Sequence, residues 1–278
     1  MNPGSVTRGL LPVWADALRL LFGTLTSIRV PPPRSADKAR AGWAMTFTPL
    51  VAAVFAAIGI AVVEIVGEPL GGTMVAFVLV GIFALLTRGM HLDGLADAAD
   101  GLGAAKGGYP DPVRGLEVMR RGDIGPFGVV TLVVMLGIQA TALGELLSVR
   151  QGLATLVLAL VLSRFVLPIL CMRGVPAART DGLGPLVAGS VGGVQVIVSA
   201  VLGAGVVGLL WAAIGLDHAE HVLSAGDTLA AVGSGIAVGI LFALRCIKRF
   251  GGVTGDVLGA CVELTFTATL LVAAIIVG

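Results

Sequence analysis

Long apolar runs dominate the 278-residue chain, and short polar segments separate them. Seven runs are long enough to cross a bilayer, which takes roughly 20 residues of helix. They cover 43–66, 70–88, 125–147, 151–171, 186–214, 227–246 and 257–277. Residues 9–28 form an eighth, weaker run, interrupted by Trp14, Asp16 and Arg19. It reads as an interfacial amphipathic helix, with a true span as the second reading. The pattern predicts an all-α fold: a polytopic integral membrane helix bundle of about seven transmembrane helices plus an N-terminal interfacial helix. Residues 1–278 are expected to form a single membrane domain. Its segment 1–42 leads into the first span, and its longest loop, 89–124, is too short for a separate folded domain.

Composition agrees with the pattern. Hydrophobic residues make up 56% of the chain and charged residues 13%, which suits a membrane protein rather than a soluble globule. The 41 glycines allow close helix packing. A net charge of +1 gives no argument for nucleic-acid binding. Cys171, Cys246 and Cys261 are widely spaced and read as apolar fillers.

Charge gives the runs an orientation. Sixteen of the 18 Lys and Arg residues fall in segments 1–42, 88–124, 172–185 and 245–256. Seven spans put all four segments on one side, and the positive-inside rule makes that side cytoplasmic. Arg150 is the exception on the other side, and Arg164 lies within a span.

One segment of the basic side carries unusual chemistry. In "RGMHLDGLADAADGLGA", Asp93, Asp97 and Asp100 are spaced four and three apart. On a helix they fall within about 60° of one another. Three like charges on one face beside a membrane need protonation, a basic partner or a cation. A divalent ion fits best, because Mg²⁺ takes carboxylate and phosphate oxygens together. The neighbouring Gly94, Gly101 and Gly103 are expected to leave room for a bulky phosphorylated ligand. His91 would point away from the aspartates on a continuous helix, and reads either as a supporting group or as plain loop polarity.

Three further polar islands share that side. "LEVMRRGDIGPFG" presents Glu117, Arg120, Arg121 and Asp123, and clustered arginines beside an acidic site suggest a polyphosphate clamp. Membrane anchoring is the plainer reading. The segment 163–184 holds Arg164, expected to face the bundle interior and a partner, followed by Arg173, Arg179 and Asp181. In "KRFGGVTGDVLGACVEL", glycines surround Thr254 near a helix start, where backbone N–H groups meet phosphate. Asp256 and Glu263 there share a helix face. On the opposite side His218 and His221 read as a solvated loop.

"HLDGLADAADGLGA", "GDIGPFG" and "GGVTGDVLGACVEL" resemble the three signature segments of the cobalamin synthase family, the membrane adenosylcobinamide-GDP ribazoletransferases. "LTSIRVPP" at 25–32 resembles a degraded form of a fourth. The likeness runs through nearly the whole chain in order and spacing. It implies a late step of vitamin B12 assembly in the bacterial inner membrane. Adenosylcobinamide-GDP meets α-ribazole or its 5′-phosphate, giving adenosylcobalamin or its phosphate and GMP, with Mg²⁺ as cofactor. It also implies attack by the ribose 3′-hydroxyl. Asp93, Asp97 and Asp100 match the acidic motif, and Thr254, Asp256 and Glu263 match the last one. The middle segment departs from the family, since Arg121-Gly122-Asp123 reverses the usual Asp and Arg. That puts in doubt any role tied to the family's Asp.

The resulting expectation assigns Asp93, Asp97, Asp100, Asp256 and Glu263 to metal, with Asp256 and Glu263 holding an Arg such as Arg164 as the other reading. Asp97 or Asp100 takes the hydroxyl proton. His91, Lys106, Arg120, Arg121, Asp123, Arg164 and Thr254 contact substrate. Two other readings stand beside it. One is a CDP-alcohol phosphotransferase, whose motif Asp97 breaks. The other is a cation-coupled transporter, suggested by Arg164 and Glu263 within spans.

Overall fold

The protein is described by a computed structural model covering residues 4–106, 109–149, 152–215 and 223–278; the side chains of 4–12 and 105–110 lie outside the description. Helix α1 (Gly4–Leu25) packs on α2 (Lys38–Thr46) and α3 (Thr48–Leu70). The bundle continues with α4 (Gly72–Leu86), α7 (Pro126–Leu147), α8 (Gly152–Leu170), α10 (Gly193–Ala213), α11 (Ala225–Phe250) and α12 (Gly255–Val277). Among the described residues, six helices or helix runs are long and apolar enough to cross a membrane: Lys38–Leu70, α7, α8, α10, α11 and α12. Helix α1 is not one of them. Its Asp16 is buried and accepts hydrogen bonds from the Arg34 backbone and the Arg19 and Arg40 side chains, which ties α1 to the segment that follows it.

Helix α8 is the centre. Nearly every residue from Ala154 to Leu170 is buried, and α3, α10, α11 and α12 surround it. Helix α12 shares that interior and also touches α7. Helix α10 shows the opposite pattern. Val194, Ile197, Val201 and Leu209 face outward, as a lipid-facing helix requires.

The expected 70–88 span is the one that changes form. Helix α4 has 15 residues, about 22 Å of helix, short of the roughly 30 Å of a hydrocarbon core. It then meets α5 (Met90–Gly103) at an 88° bend. Two consecutive left-handed residues make the bend, Arg88 at φ 56° and Gly89 at φ 71°. Such residues end helices. Glycine adopts that conformation freely, whereas Arg88 needs anchoring and has it: its guanidinium donates to the Gly23 and Thr24 carbonyls of α1.

The four basic segments meet on one face, as the charge map requires. Arg249 donates to the Ala104 carbonyl, Arg120 pairs with Asp181, Arg88 donates to the Gly23 carbonyl, and Ala177 bridges to Val253. The longest of these segments is well structured rather than an open loop. It holds α5, a two-stranded hairpin (β1, Ala105–Lys106; β2, Tyr109–Pro110) and α6 (Pro112–Val118). The short α9 (Gly184–Val187) lies on the same face.

Candidate active site

Helix α5 is continuous through His91, Asp93, Asp97 and Asp100. It docks antiparallel on α12. Gly94 stands against the Asp256 backbone, and Gly259 against that of His91. Close approach needs small residues at both points. The expectation that Gly94, Gly101 and Gly103 leave room for ligand is therefore corrected, because protein fills each place. A Cβ on Gly101 would stand 2.7 Å from Met119 and one on Gly103 2.6 Å from the Phe127 ring.

The three aspartates share a face but not a job. Asp93 is exposed. Asp97 is buried and has Asp93, Asp256 and Asp100 as like-charged neighbours, with Arg179 opposing them. Asp100 is committed elsewhere. Its oxygens accept from the Gly125 N–H at 2.7 Å and the Gly128 N–H at 3.0 Å. They satisfy two donors at the start of α7, where Gly125 has no side chain to do so. This accounts for the last two glycines of the "GDIGPFG" motif, because a Cβ on Gly125 or Gly128 would stand 2.5 Å from an Asp100 oxygen.

Thr254 is the N-cap of α12. Its hydroxyl accepts from the Val257 N–H and donates to Asp256 Oδ2. The Arg179 guanidinium reaches the same Asp256 oxygen at 3.4 Å and donates to the Leu116 carbonyl at 3.0 Å. Asp93, Thr254, Asp256 and Arg179 line one cavity of about 250 Å³, together with His91 and the 181–184 turn. Arg179 and Asp181 carry no motif in the sequence. Their only signal is a basic loop on the same side as the aspartates.

Glu263 is not brought to this cluster. Seven residues beyond Asp256 on α12, it lies roughly 10 Å deeper along the helix. It accepts from Gln139 Nε2 at 2.8 Å and stands 3.9 Å from His91 Nδ1. Arg164, buried over the Phe55 ring and bonded to Ser163, lines a small cavity of about 20 Å³ with it. The reading of Glu263 as a companion to Arg164 fits the geometry, and its reading as a ligand beside the aspartates does not. Arg120, Arg121 and Asp123 are exposed, and Arg120 is held by Asp181 at 2.8 Å. The side chain of Lys106, and His218 and His221, lie outside the described residues.

Helix α5 runs along α12 from Gly259 toward Asp256 in the first turn of that helix, so its carboxylates lie toward the loop end of the bundle. There, burial first, then repulsion from Asp93, Asp256 and Asp100, pushes the Asp97 carboxyl up to about 7. Among the described residues no three acidic, His or Cys side chains are gathered in ligand geometry. Asp93, Asp97 and Asp256 still fit a hard cation. Asp93 and Asp256 line one cavity and Asp97 lies within electrostatic reach of both, a small set of oxygen donors of the kind Mg²⁺ uses when phosphate oxygens complete its shell.

A curated relative from Nocardioides sp. (strain ATCC BAA-499 / JS614), named adenosylcobinamide-GDP ribazoletransferase, is 41% identical over 258 residues, covering 92% of this chain and 97% of the relative. Relatives of the same name from Frankia casuarinae and Mesorhizobium japonicum are 37% and 36% identical, over 92% and 93% of this chain and 93% and 92% of their own lengths. No solved structure matches. The model of the cobalamin-5-phosphate synthase family matches residues 17–274, so neither the CDP-alcohol phosphotransferase nor the transporter reading is kept, and the chain belongs to the cobalamin-5-phosphate synthase family.

Proposed function

We propose that this chain is a Mg²⁺-dependent transferase that joins adenosylcobinamide-GDP to α-ribazole or α-ribazole 5′-phosphate and releases GMP. It works at the cytoplasmic side of the bacterial inner membrane. One observation carries the reading: Asp93 and Asp256 line a single cavity with Arg179 and Thr254, and Asp97 lies close enough to both carboxylates to feel their charge.

The ribose 3′-hydroxyl oxygen forms a bond to the corrinoid-side phosphorus of the pyrophosphate. The bond from that phosphorus to the GMP oxygen breaks, and GMP leaves with the electron pair. When bound, Mg²⁺ neutralises the pyrophosphate and the departing oxygen. Asp93 and Asp256 would hold it, with Asp97 one turn on from Asp93. Arg179, already poised on Asp256, places a guanidinium where the phosphate arrives. Of the two carboxylates suited to take the hydroxyl proton, Asp100 is occupied by α7, which leaves Asp97. Its carboxyl, pushed up to about 7, is matched to accepting a proton near neutral pH.

The test is GMP release by the purified protein in lipid, from adenosylcobinamide-GDP, on adding α-ribazole with and without Mg²⁺. Release that needs both supports the reading. No release under either condition removes it.

A further inference from the structure

The cavity of about 250 Å³ is lined by two unlike groups of side chains. Asp93, Arg179, Asp181, Thr254 and Asp256 form the charged one. Leu25 of α1, Met45 of α2 and Leu167 of α8 belong to an apolar wall, which Met90 and Leu258 extend. On the ribazoletransferase reading above, three bulky parts compete for this space: a corrinoid, a guanosine and a ribazole.

Size removes the first. Pockets for drug-sized ligands run from about 300 Å³ upward, so this space takes one nucleoside-sized molecule and no corrin ring. Polarity separates the other two. The guanine edge carries several donors and acceptors, which lose their partners when buried against apolar groups. Among the described residues, α1, α2 and α8 contribute one hydroxyl, Thr24, and otherwise methyl, methylene and thioether surface. A benzimidazole ring asks for little more than that surface, and methionine sulfur makes favourable contacts with aromatic rings.

We propose that this cavity is the ribazole subsite. The base lies against Leu25, Met45 and Leu167, and the ribose reaches toward Asp93, Asp256 and Arg179. The corrinoid and guanosine stay outside, on the loop face. The attacking alcohol thus comes from within the bundle, and the activated phosphate comes from the water side.

Met45 belongs to the apolar wall and to none of the charged machinery, so Met45→Phe narrows the base end alone. It is expected to raise KM for α-ribazole roughly tenfold or more, leaving KM for adenosylcobinamide-GDP and kcat at saturating α-ribazole close to wild type. A rise confined to KM for adenosylcobinamide-GDP, or no change in either KM, would overturn the assignment. A second measurement uses the unaltered protein in nanodiscs without corrinoid. Labelled α-ribazole binds, and excess guanosine leaves it bound. Displacement by guanosine, or no binding of α-ribazole at concentrations above its KM, also overturns it, even if Met45→Phe does not fold. Failure of the parent reading looks different, as wild-type protein that never releases GMP.

Discussion

Gly94 on α5 presses directly on Asp256 of α12: a Cβ there would stand 2.6 Å from the Asp256 carbonyl oxygen and 2.8 Å from its Cα. The contact is to backbone, so no side-chain rotation relieves it. It also sits between the two carboxylate-bearing segments of the site, with Asp93 next to one partner and Asp256 as the other. Gly94→Ala is therefore expected to separate α5 from α12. Overpacking of this kind costs about 1–3 kcal/mol, and a shift of about 1 Å at a reacting centre lowers turnover roughly a hundredfold. A thermal-unfolding curve beside a kcat measurement checks both. Wild-type turnover in Gly94→Ala would show that the spacing of the two helices is immaterial.

Asp100 separates from the other aspartates by its effect on stability. Asp100→Asn keeps an acceptor oxygen but loses the charge that both Gly125 and Gly128 N–H groups face. Loss of a helix N-cap costs about 0.5–2 kcal/mol. The expected variant has a lowered Tm and an unchanged apparent affinity for Mg²⁺. A Mg²⁺ affinity reduced as far as in Asp93→Asn would place Asp100 among the metal ligands instead.

Asp93→Asn and Asp256→Asn are expected to raise the Mg²⁺ concentration needed for half-maximal GMP release by tenfold or more, as removing a ligand of a hard cation does, with little change in Tm for the exposed Asp93. Glu263→Gln should do the reverse. It leaves buried Arg164 with less opposing charge and weakens the bundle, while the Mg²⁺ requirement stays as in wild type. Titrating Mg²⁺ against rate for all three variants checks the division. A Glu263→Gln protein of normal Tm but weakened Mg²⁺ dependence would contradict it.

Much of this was readable from the chain because it is local. Hydropathy located the long helices, and a spacing of four and three put Asp93, Asp97 and Asp100 on one helix face. What those residues meet was not readable, since the partners are far away in sequence. Asp100 looks like its two neighbours until α7, 25 residues on, claims its oxygens. Gly94, Gly101 and Gly103 look like open space until Asp256, Met119 and Phe127 fill it. The 88° turn after α4 depends on a left-handed Arg88 held by carbonyls of α1, which no periodicity records. Arg179 carries no motif, so only its contacts to Asp256 and Leu116 single it out.

Arg179 is expected to be more than a counter-charge. Two of its nitrogens are committed, one to Asp256 and one to the Leu116 carbonyl, so the planar fork is pre-aligned at the cavity wall. Lysine carries the charge without the fork. Arg179→Lys should retain folding and lower kcat/KM for adenosylcobinamide-GDP by roughly a hundredfold, the order seen when one donor to a developing charge is removed. Steady-state kinetics with each substrate varied in turn is the check. Full activity in Arg179→Lys would reduce the role to simple charge.

Burial and three neighbouring carboxylates push the Asp97 carboxyl up from 3.8 to about 7 in the folded, metal-free protein. The folded state therefore binds a proton that the unfolded chain releases. That contribution to stability is fully present below the unfolded value of 3.8 and is lost as pH rises through about 7. A cation at Asp93 and Asp256 acts against the same repulsion and competes with the same proton. Two outcomes follow. In the presence of a chelator, Tm should fall as pH rises from about 4 to about 7 and level off above that, and Mg²⁺ should raise it mainly at the upper end. The Mg²⁺ concentration for half-maximal rate should rise as pH falls below about 7, by at most roughly tenfold per unit for one linked proton. Asp97→Asn should flatten both dependences, because it removes the group that titrates. A wild-type Mg²⁺ requirement that stays constant across this range would mean that Asp97 is not linked to the metal. An unaltered pH dependence in Asp97→Asn would assign the titration to another group.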